Sequence, residues 1–118
     1  EKANESQVMN VIGDVRGKKC VMVDDIIDTA GTLCNASGAL MAQGASEVHA
    51  YVVHGVLSGP AVERITNSSM SSLVLSNSIE PTAVVSAAPN IRHISLAPLL
   101  GEAIKRIHED RSISVLFN

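Results

Sequence analysis

Val21-Met22-Val23-Asp24-Asp25-Ile26-Ile27-Asp28-Thr29-Ala30-Gly31-Thr32 is the stretch on which the reading of this chain turns. Its apolar start, residues 20–23, ends in two adjacent acids and reads as a buried β-strand. Residues 28–32 are small and polar, as a tight turn requires, and a helical pattern follows from Thr32. The first amides of such a helix lack partners within it and face the turn. The unit thus presents backbone N–H groups and the hydroxyls of Thr29 and Thr32 to an anion, with Asp24 and Asp25 beside them. A turn of this kind also occurs as plain architecture, with Asp28 or Thr29 merely capping the helix. Two neighbouring carboxylates repel, however, unless hydroxyls or a cation offset the cost. The combination points to a site for a phosphorylated ribose.

The rest of the composition fits one domain of 118 residues. It is 46% hydrophobic but only 2% aromatic, so the core must be aliphatic. A net charge of −3 argues against sequence-independent binding to nucleic acid, which needs a basic face. No apolar run reaches the ~20 residues that span a bilayer, and no signal-peptide pattern appears, so no membrane partner is expected. Cys20 and Cys34 fall in a predicted strand and helix, where buried free thiols in a reducing cytoplasm are the simplest reading. Without a CxxC or a Cys/His cluster, a zinc site is not expected.

Working outward, residues 1–7 are polar and open without an initiator Met, the look of a chain entered partway. Residues 8–12 with Val15 suggest a strand. Downstream, Leu33, Ala36, Leu40 and Met41 recur at helical period, and Gly44 reads as the C-terminal cap. Residues 48–53 form a second apolar strand. Strand, helix and strand in about thirty residues make a right-handed βαβ unit, which places residues 28–32 at the carboxyl edge of a parallel sheet. Residues 54–60 are a loop at the same edge, where Ser58 or Gly59 caps a short helix begun by Pro60. Residues 73–75 and 91–96 read as further strands, with a surface connection over 80–90. Pro98 opens the last helix, with Leu99, Leu100, Ala103, Ile104 and Ile107 turned inward and Glu102, Lys105, Arg106 and Glu109 in water. Residues 112–117 alternate and predict an edge strand. The expectation is a single α/β domain over residues 1–118, with a mostly parallel sheet and flanking helices.

With these residues in view, the stretch 21–32 resembles the phosphoribosyl diphosphate signature of the type I phosphoribosyltransferase fold. Val8-Met-Asn-Val-Ile-Gly-Asp-Val15, His54-Gly-Val-Leu-Ser-Gly-Pro-Ala61, Glu102-Ala-Ile-Lys-Arg-Ile-His-Glu109 and Ser112-Ile-Ser-Val-Leu-Phe117 narrow it further. They resemble the C-terminal half of the ribose-phosphate diphosphokinases, also called phosphoribosyl pyrophosphate synthetases. The resemblance implies a reaction: ribose 5-phosphate and ATP give phosphoribosyl diphosphate and AMP for nucleotide biosynthesis. It implies a cytoplasmic enzyme, in hexamers built from dimers. By similarity Asp24, Asp28, Thr29, Ala30, Gly31 and Thr32 bind ribose 5-phosphate. Asp24 and Asp25 accept its hydroxyls, and Asp28 also braces the turn.

The family's mobile Lys/Arg loop lies just before the stretch matching Ala3-Asn4, so Lys2 falls on its wrong side and is not assigned. The ATP-binding half, and the His and Asp that hold Mg2+, belong to the part outside this sequence. These 118 residues are therefore expected to supply a ribose-5-phosphate site, to hold no catalytic residue and to turn over nothing alone. Ser112 and Ser114 match a tail that forms a regulatory phosphate or ADP site between subunits, although alternating Ser is equally what a half-exposed strand shows.

His54 is read either as a ligand contact or as loop scaffold, while His93 and His108 read as structural or solvated. The edge loop at Asn77-Ser78 has no forced role. A nucleobase phosphoribosyltransferase shares the acid pair and loop, but the Ser58-Gly-Pro-Ala61 segment and the chain's ending favour the synthetase. A non-catalytic synthetase-associated regulatory subunit need not keep residues 28–32 intact. A receiver domain needs a phospho-accepting Asp at a later strand end, and the strands ending at Val53, Leu75 and Leu96 offer none.

Overall fold

The computed structural model describes residues 10–118. The elements run β1 (Lys19–Ile27), α1 (Gly31–Ala42), β2 (Glu47–Gly55), α2 (Ala61–Thr66), β3 (Ser72–Ser76), α3 (Ala83–Ala87), β4 (Ile91–Ile94) and α4 (Ala97–His108), closed by a 3₁₀ turn (Ser114–Phe117). All four strands are parallel and lie in the order β1-β2-β3-β4, which bears out the α/β reading.

Because spatial order equals chain order, right-handed crossovers place every connecting helix on the same side. The core accordingly lies on one face. Ala50, Val52, Leu73, Leu75 and Ile91 of the strands meet Ala61, Ile65 and Val85 of the helices, and Leu33 and Cys34 of α1 pack against them. Gly55 is required where β2 ends, since a Cβ there would stand 2.6 Å from Leu75 Cδ1. The opposite face is bare among the described residues. Val21, Val23, Tyr51, Val53 and Ile94 all lie at the surface, Val23 with 80% exposure.

This corrects the reading of residues 20–23 as a buried strand. β1 is an edge strand, and every second side chain points to the uncovered face. β1 also runs past the acid pair, since Asp24 pairs with Val52 and Ile27 with Gly55. The carboxylates therefore sit within the strand.

α1 ends in a Schellman motif: Ala45 N–H donates to Leu40 O at 3.1 Å and Gly44 N–H to Met41 O at 3.0 Å, with Gly44 at φ 95°. Gly44 is thus the residue just beyond the cap, and its αL geometry is why glycine stands there. Leu33, Ala36, Leu40 and Met41 are half-buried. The fully buried position of α1 is Ser37, whose Oγ meets Ser69 Oγ at 3.2 Å.

Other expectations meet different outcomes. Val8 and Met9 of the proposed first strand lie outside the described residues, as do residues 1–7, and residues 10–12 form no strand. Residues 80–90 are not plain connection. Thr82 Oγ1 accepts the Val85 amide at 3.3 Å, and α3 buries Val85 in the core. Residues 112–117 make no strand, because Ser112 Oγ accepts the Ser114 amide at 3.2 Å and curls the backbone. α4 buries no residue: Leu99, Leu100, Ile104 and Ile107 face outward, while Glu102 and Arg106 are half-buried and pair at 2.8 Å. Its stripe was expected inward, but the core face of the sheet is already occupied by α1, α2 and α3. Cys20 and Cys34 are free and half-buried. No helix among the described residues is long and apolar enough to cross a membrane.

At the amino edge of the sheet, Glu47 Oε2 lies 2.9 Å from His49 Nε2 and Glu47 Oε1 lies 3.4 Å from Lys19 Nζ, while His49 Nδ1 meets Ser72 Oγ at 2.7 Å. The His49 bond first, then Lys19, holds the Glu47 carboxyl below the usual carboxylate range. A carboxyl depressed in the folded state contributes stability above its unfolded value and loses it as pH falls through the folded one. Glu47→Gln is therefore expected to lower the melting temperature slightly at neutral pH. Below the carboxylate range, where the native side chain is protonated, the two proteins should melt together, and paired melts at both pH values check this.

Candidate functional site

Ile27 ends β1 with its side chain in the core, and Gly31 starts α1, so the turn between them is pinned at both ends. Ala30 occupies the N-cap position in a left-handed conformation, φ 64° and ψ 5°, and makes no side-chain cap bond. Asn, Asp and Ser are the usual choices there because they satisfy the first amides themselves. With alanine in their place, Gly31, Thr32 and Leu33 offer N–H groups with no acceptor among the described residues, and the first amide bonded back is that of Cys34, to Ala30 O at 3.0 Å.

These amides border an open hollow of roughly 260 Å³ that Asp24, Ile26, Ile27 and residues 28–33 line. The expected Asp24, Asp28, Thr29, Ala30, Gly31 and Thr32 are thereby brought to one place. Asp25 is not on this wall. Strand alternation turns it away from Asp24, and the two meet only through the Asp25 amide, which donates to Asp24 Oδ1 at 2.8 Å. Free main-chain amides at a helix start are groups that suit an anion. Charge-assisted hydrogen bonds to main-chain amides are worth about 1.5–3 kcal/mol each, and the helix start adds about 0.3–1 kcal/mol.

Two partners of the turn were not foreseen. Ser58 Oγ donates to Asp28 Oδ1, and Arg64 Nη1 donates to Thr29 O at 3.0 Å. Neither Ser58 nor Gly59, the two expected caps of α2, stands at its N-cap, which is Pro60. Local sequence holds no signal for either contact, since 30 and 35 residues separate the partners. Near the turn, burial pushes the Cys34 thiol above its usual range against the smaller pull of Ser68 and Arg64, so it is protonated and a poor nucleophile at neutral pH.

His54 Nδ1 meets Ser78 Oγ at 2.7 Å at the carboxyl edge of β2, and Asn77 Oδ1 accepts the Leu96 amide at 2.8 Å. Both are engaged in joining the edge loops. His93 lies half-buried in β4 and His108 exposed at the end of α4. Ser112 and Ser114 are exposed, their hydroxyls 2.8 Å apart. Among the described residues no three His, Cys, Asp or Glu side chains converge as a metal site.

Fold and hollow together define an α/β domain with an uncapped strand–turn–helix at the carboxyl edge of its sheet. The chain belongs to the family of the phosphoribosyl synthetase-associated domain, which residues 1–118 match. It is 55% identical over 118 residues to a ribose-phosphate pyrophosphokinase of Rhizobium meliloti (strain 1021), covering 100% of this chain and 38% of that protein. To the ribose-phosphate pyrophosphokinase of Cereibacter sphaeroides (strain KD131 / KCTC 12085) it is 58% identical over 117 residues, 99% of this chain and 35% of that one. The crystal structure of phosphoribosylpyrophosphate synthetase from Mycobacterium smegmatis superposes with a TM-score of 0.80 at 36% identity, covering 84% of this chain and 33% of that one. The chain thus spans little more than a third of the relatives it matches.

Proposed function

We propose that this chain is the ribose-5-phosphate-binding part, drawn from the C-terminal half, of a cytoplasmic, homo-oligomeric ribose-phosphate diphosphokinase. The observation that carries the proposal is the uncapped start of α1 opening on a hollow with Asp24 on its wall. The 5-phosphate sits on the amides of Gly31, Thr32 and Leu33 with the hydroxyls of Thr29 and Thr32. Asp24 accepts a hydrogen bond from the ribose, which orients the 1-hydroxyl. In the reaction of the whole enzyme, that oxygen bonds to the β-phosphorus of ATP and its proton is released to solvent, while the bond from the β-phosphorus to the oxygen shared with the α-phosphorus breaks and that oxygen leaves on AMP. This chain contributes by holding the acceptor in place, where positioning supplies much of such a rate. Magnesium would neutralise phosphate charge when bound, and its protein ligands are assigned to the part of the enzyme outside this sequence.

Titration of ribose 5-phosphate into the chain, followed by amide NMR, is the direct test. The expected dissociation constant lies between micromolar and millimolar, with shifts centred on residues 28–33. Ribose without its phosphate should not bind. Asp24→Asn should weaken binding by about tenfold, the worth of one hydrogen bond to a charged group. A chain that ignores ribose 5-phosphate yet still associates with a synthetase would instead be a regulatory subunit.

A further inference from the structure

The hollow has a brace behind it. Ser58 stands just before α2 and Arg64 lies within it, and neither lines the hollow. Ala61 and Ile65 on either side of Arg64 are fully buried, so the base of the Arg64 side chain is fixed by the core. Its guanidinium lies across the first turn of α1: Nη1 donates to Thr29 O at 3.0 Å and stands 3.5 Å from where a Cβ on Gly31 would be. No carboxylate pairs with it among the described residues. An unpaired cation beside the positive end of a helix is unfavourable until an anion arrives.

The geometry points to Ser58 and Arg64 as positioning residues that keep the 28–32 turn open for a phosphate ester, an inference that rests on the function proposed above. A trans peptide sets its C=O and N–H in opposite directions, and every peptide bond among the described residues is trans. By holding the Thr29 carbonyl, Arg64 therefore turns the Ala30 N–H to the side away from itself. Ser58 acts on the next competitor. Asp28 is the residue best suited to fold back over the free amides of α1 as a cap. Its carboxylate instead accepts the Ser58 hydroxyl, and the amides stay free. Ser58 thus frees the donors of the helix start, and Arg64 fixes the peptide plane that leads into them. Occupancy of the hollow then relieves the uncompensated charge of Arg64, so brace and ligand favour each other.

The test compares the 118-residue chain with Arg64→Gln, Arg64→Lys and Ser58→Ala. Hydrogen exchange of the amides at 28–33 is read without ligand, and the ribose 5-phosphate dissociation constant is read by titration. Arg64→Gln should speed exchange of the turn amides and raise the dissociation constant, each by about tenfold, with the melting temperature nearly unmoved. Arg64→Lys should recover most of both, since an ammonium still donates to Thr29 O. Ser58→Ala should raise the dissociation constant by about threefold to tenfold through Asp28 alone, which keeps the inference testable should Arg64→Gln fail to fold. Normal binding by wild type, Arg64→Gln and Ser58→Ala alike would overturn the brace and leave the ribose-phosphate site standing. If wild type itself does not bind, the site reading falls. Exchange at the turn then decides the brace: quickened amides support it as a structural device, and unchanged amides overturn it.

Discussion

Replacing Ala30 by valine is expected to weaken ribose 5-phosphate binding by about a hundredfold or more, through loss of at least two charge-assisted bonds at about 1.5–3 kcal/mol each. Ala30 stands at φ 64°, in the left-handed region, with 4% of its surface exposed. Its Cβ already carries a penalty of roughly 1–2 kcal/mol there. A β-branched side chain at positive φ is a genuine outlier, and burial leaves it no room to turn aside. The backbone then relaxes toward negative φ, and the amides of Gly31 and Thr32 swing out of the hollow. Ala30→Gly makes the complementary comparison. Glycine adopts this φ freely, so the turn and its affinity should persist, within about twofold. Melts of both variants keep folding apart from binding, with a loss of about 1–3 kcal/mol expected for valine from backbone strain. Binding by the valine variant within threefold of wild type would mean that the conformation at Ala30 does not set the site.

The strand–turn–helix around residues 21–32 was legible because each step has a local signature: β-branched residues, then small ones, then helical period. The parallel sheet followed from segment lengths alone. Much of what was not legible depended on partners distant in sequence. Val21 and Val23 look like core residues in a list, yet which face of a sheet is covered is decided by the order of strands, which no strand carries within itself. The stripe of α4 has the right period and the wrong neighbour, since α1, α2 and α3 already fill the one occupied face. Asp24 and Asp25 read as a pair because they are adjacent, but adjacency in a strand means opposite sides. Ser112 and Ser114 alternate as a strand does, and their own hydroxyls bend the chain instead. At the site, Ala30 reads from the residues as one more small turn position, and only the resemblance places it in the ribose-5-phosphate loop. Its importance lies in what it lacks, a side-chain cap, and that is visible only once the helix start is located.

Leu73→Ala should be the most destabilising simple truncation on the sheet, by about 2–5 kcal/mol, with a fall in melting temperature of roughly 10–25 °C. Leu73 has no exposed surface and pairs across the sheet with Ala50 and Ile91, at the centre of the one apolar cluster that strands and helices share. Its neighbours sit on a rigid sheet and cannot collapse into the space, so most of the cavity term is felt. For a domain of this size the loss is a large part of the whole margin of stability. Val23→Ala on the other face removes an apolar side chain too, but one that already meets water, and the expected change is within about 0.5 kcal/mol. The pair of melts therefore measures how one-sided the sheet is in solution. Parallel sheets are ordinarily covered on both faces. A Val23→Ala change as costly as a core truncation would show that the face bearing Val21, Val23, Tyr51, Val53 and Ile94 is buried, and a loss that deepens with dilution would identify a second copy as the cover.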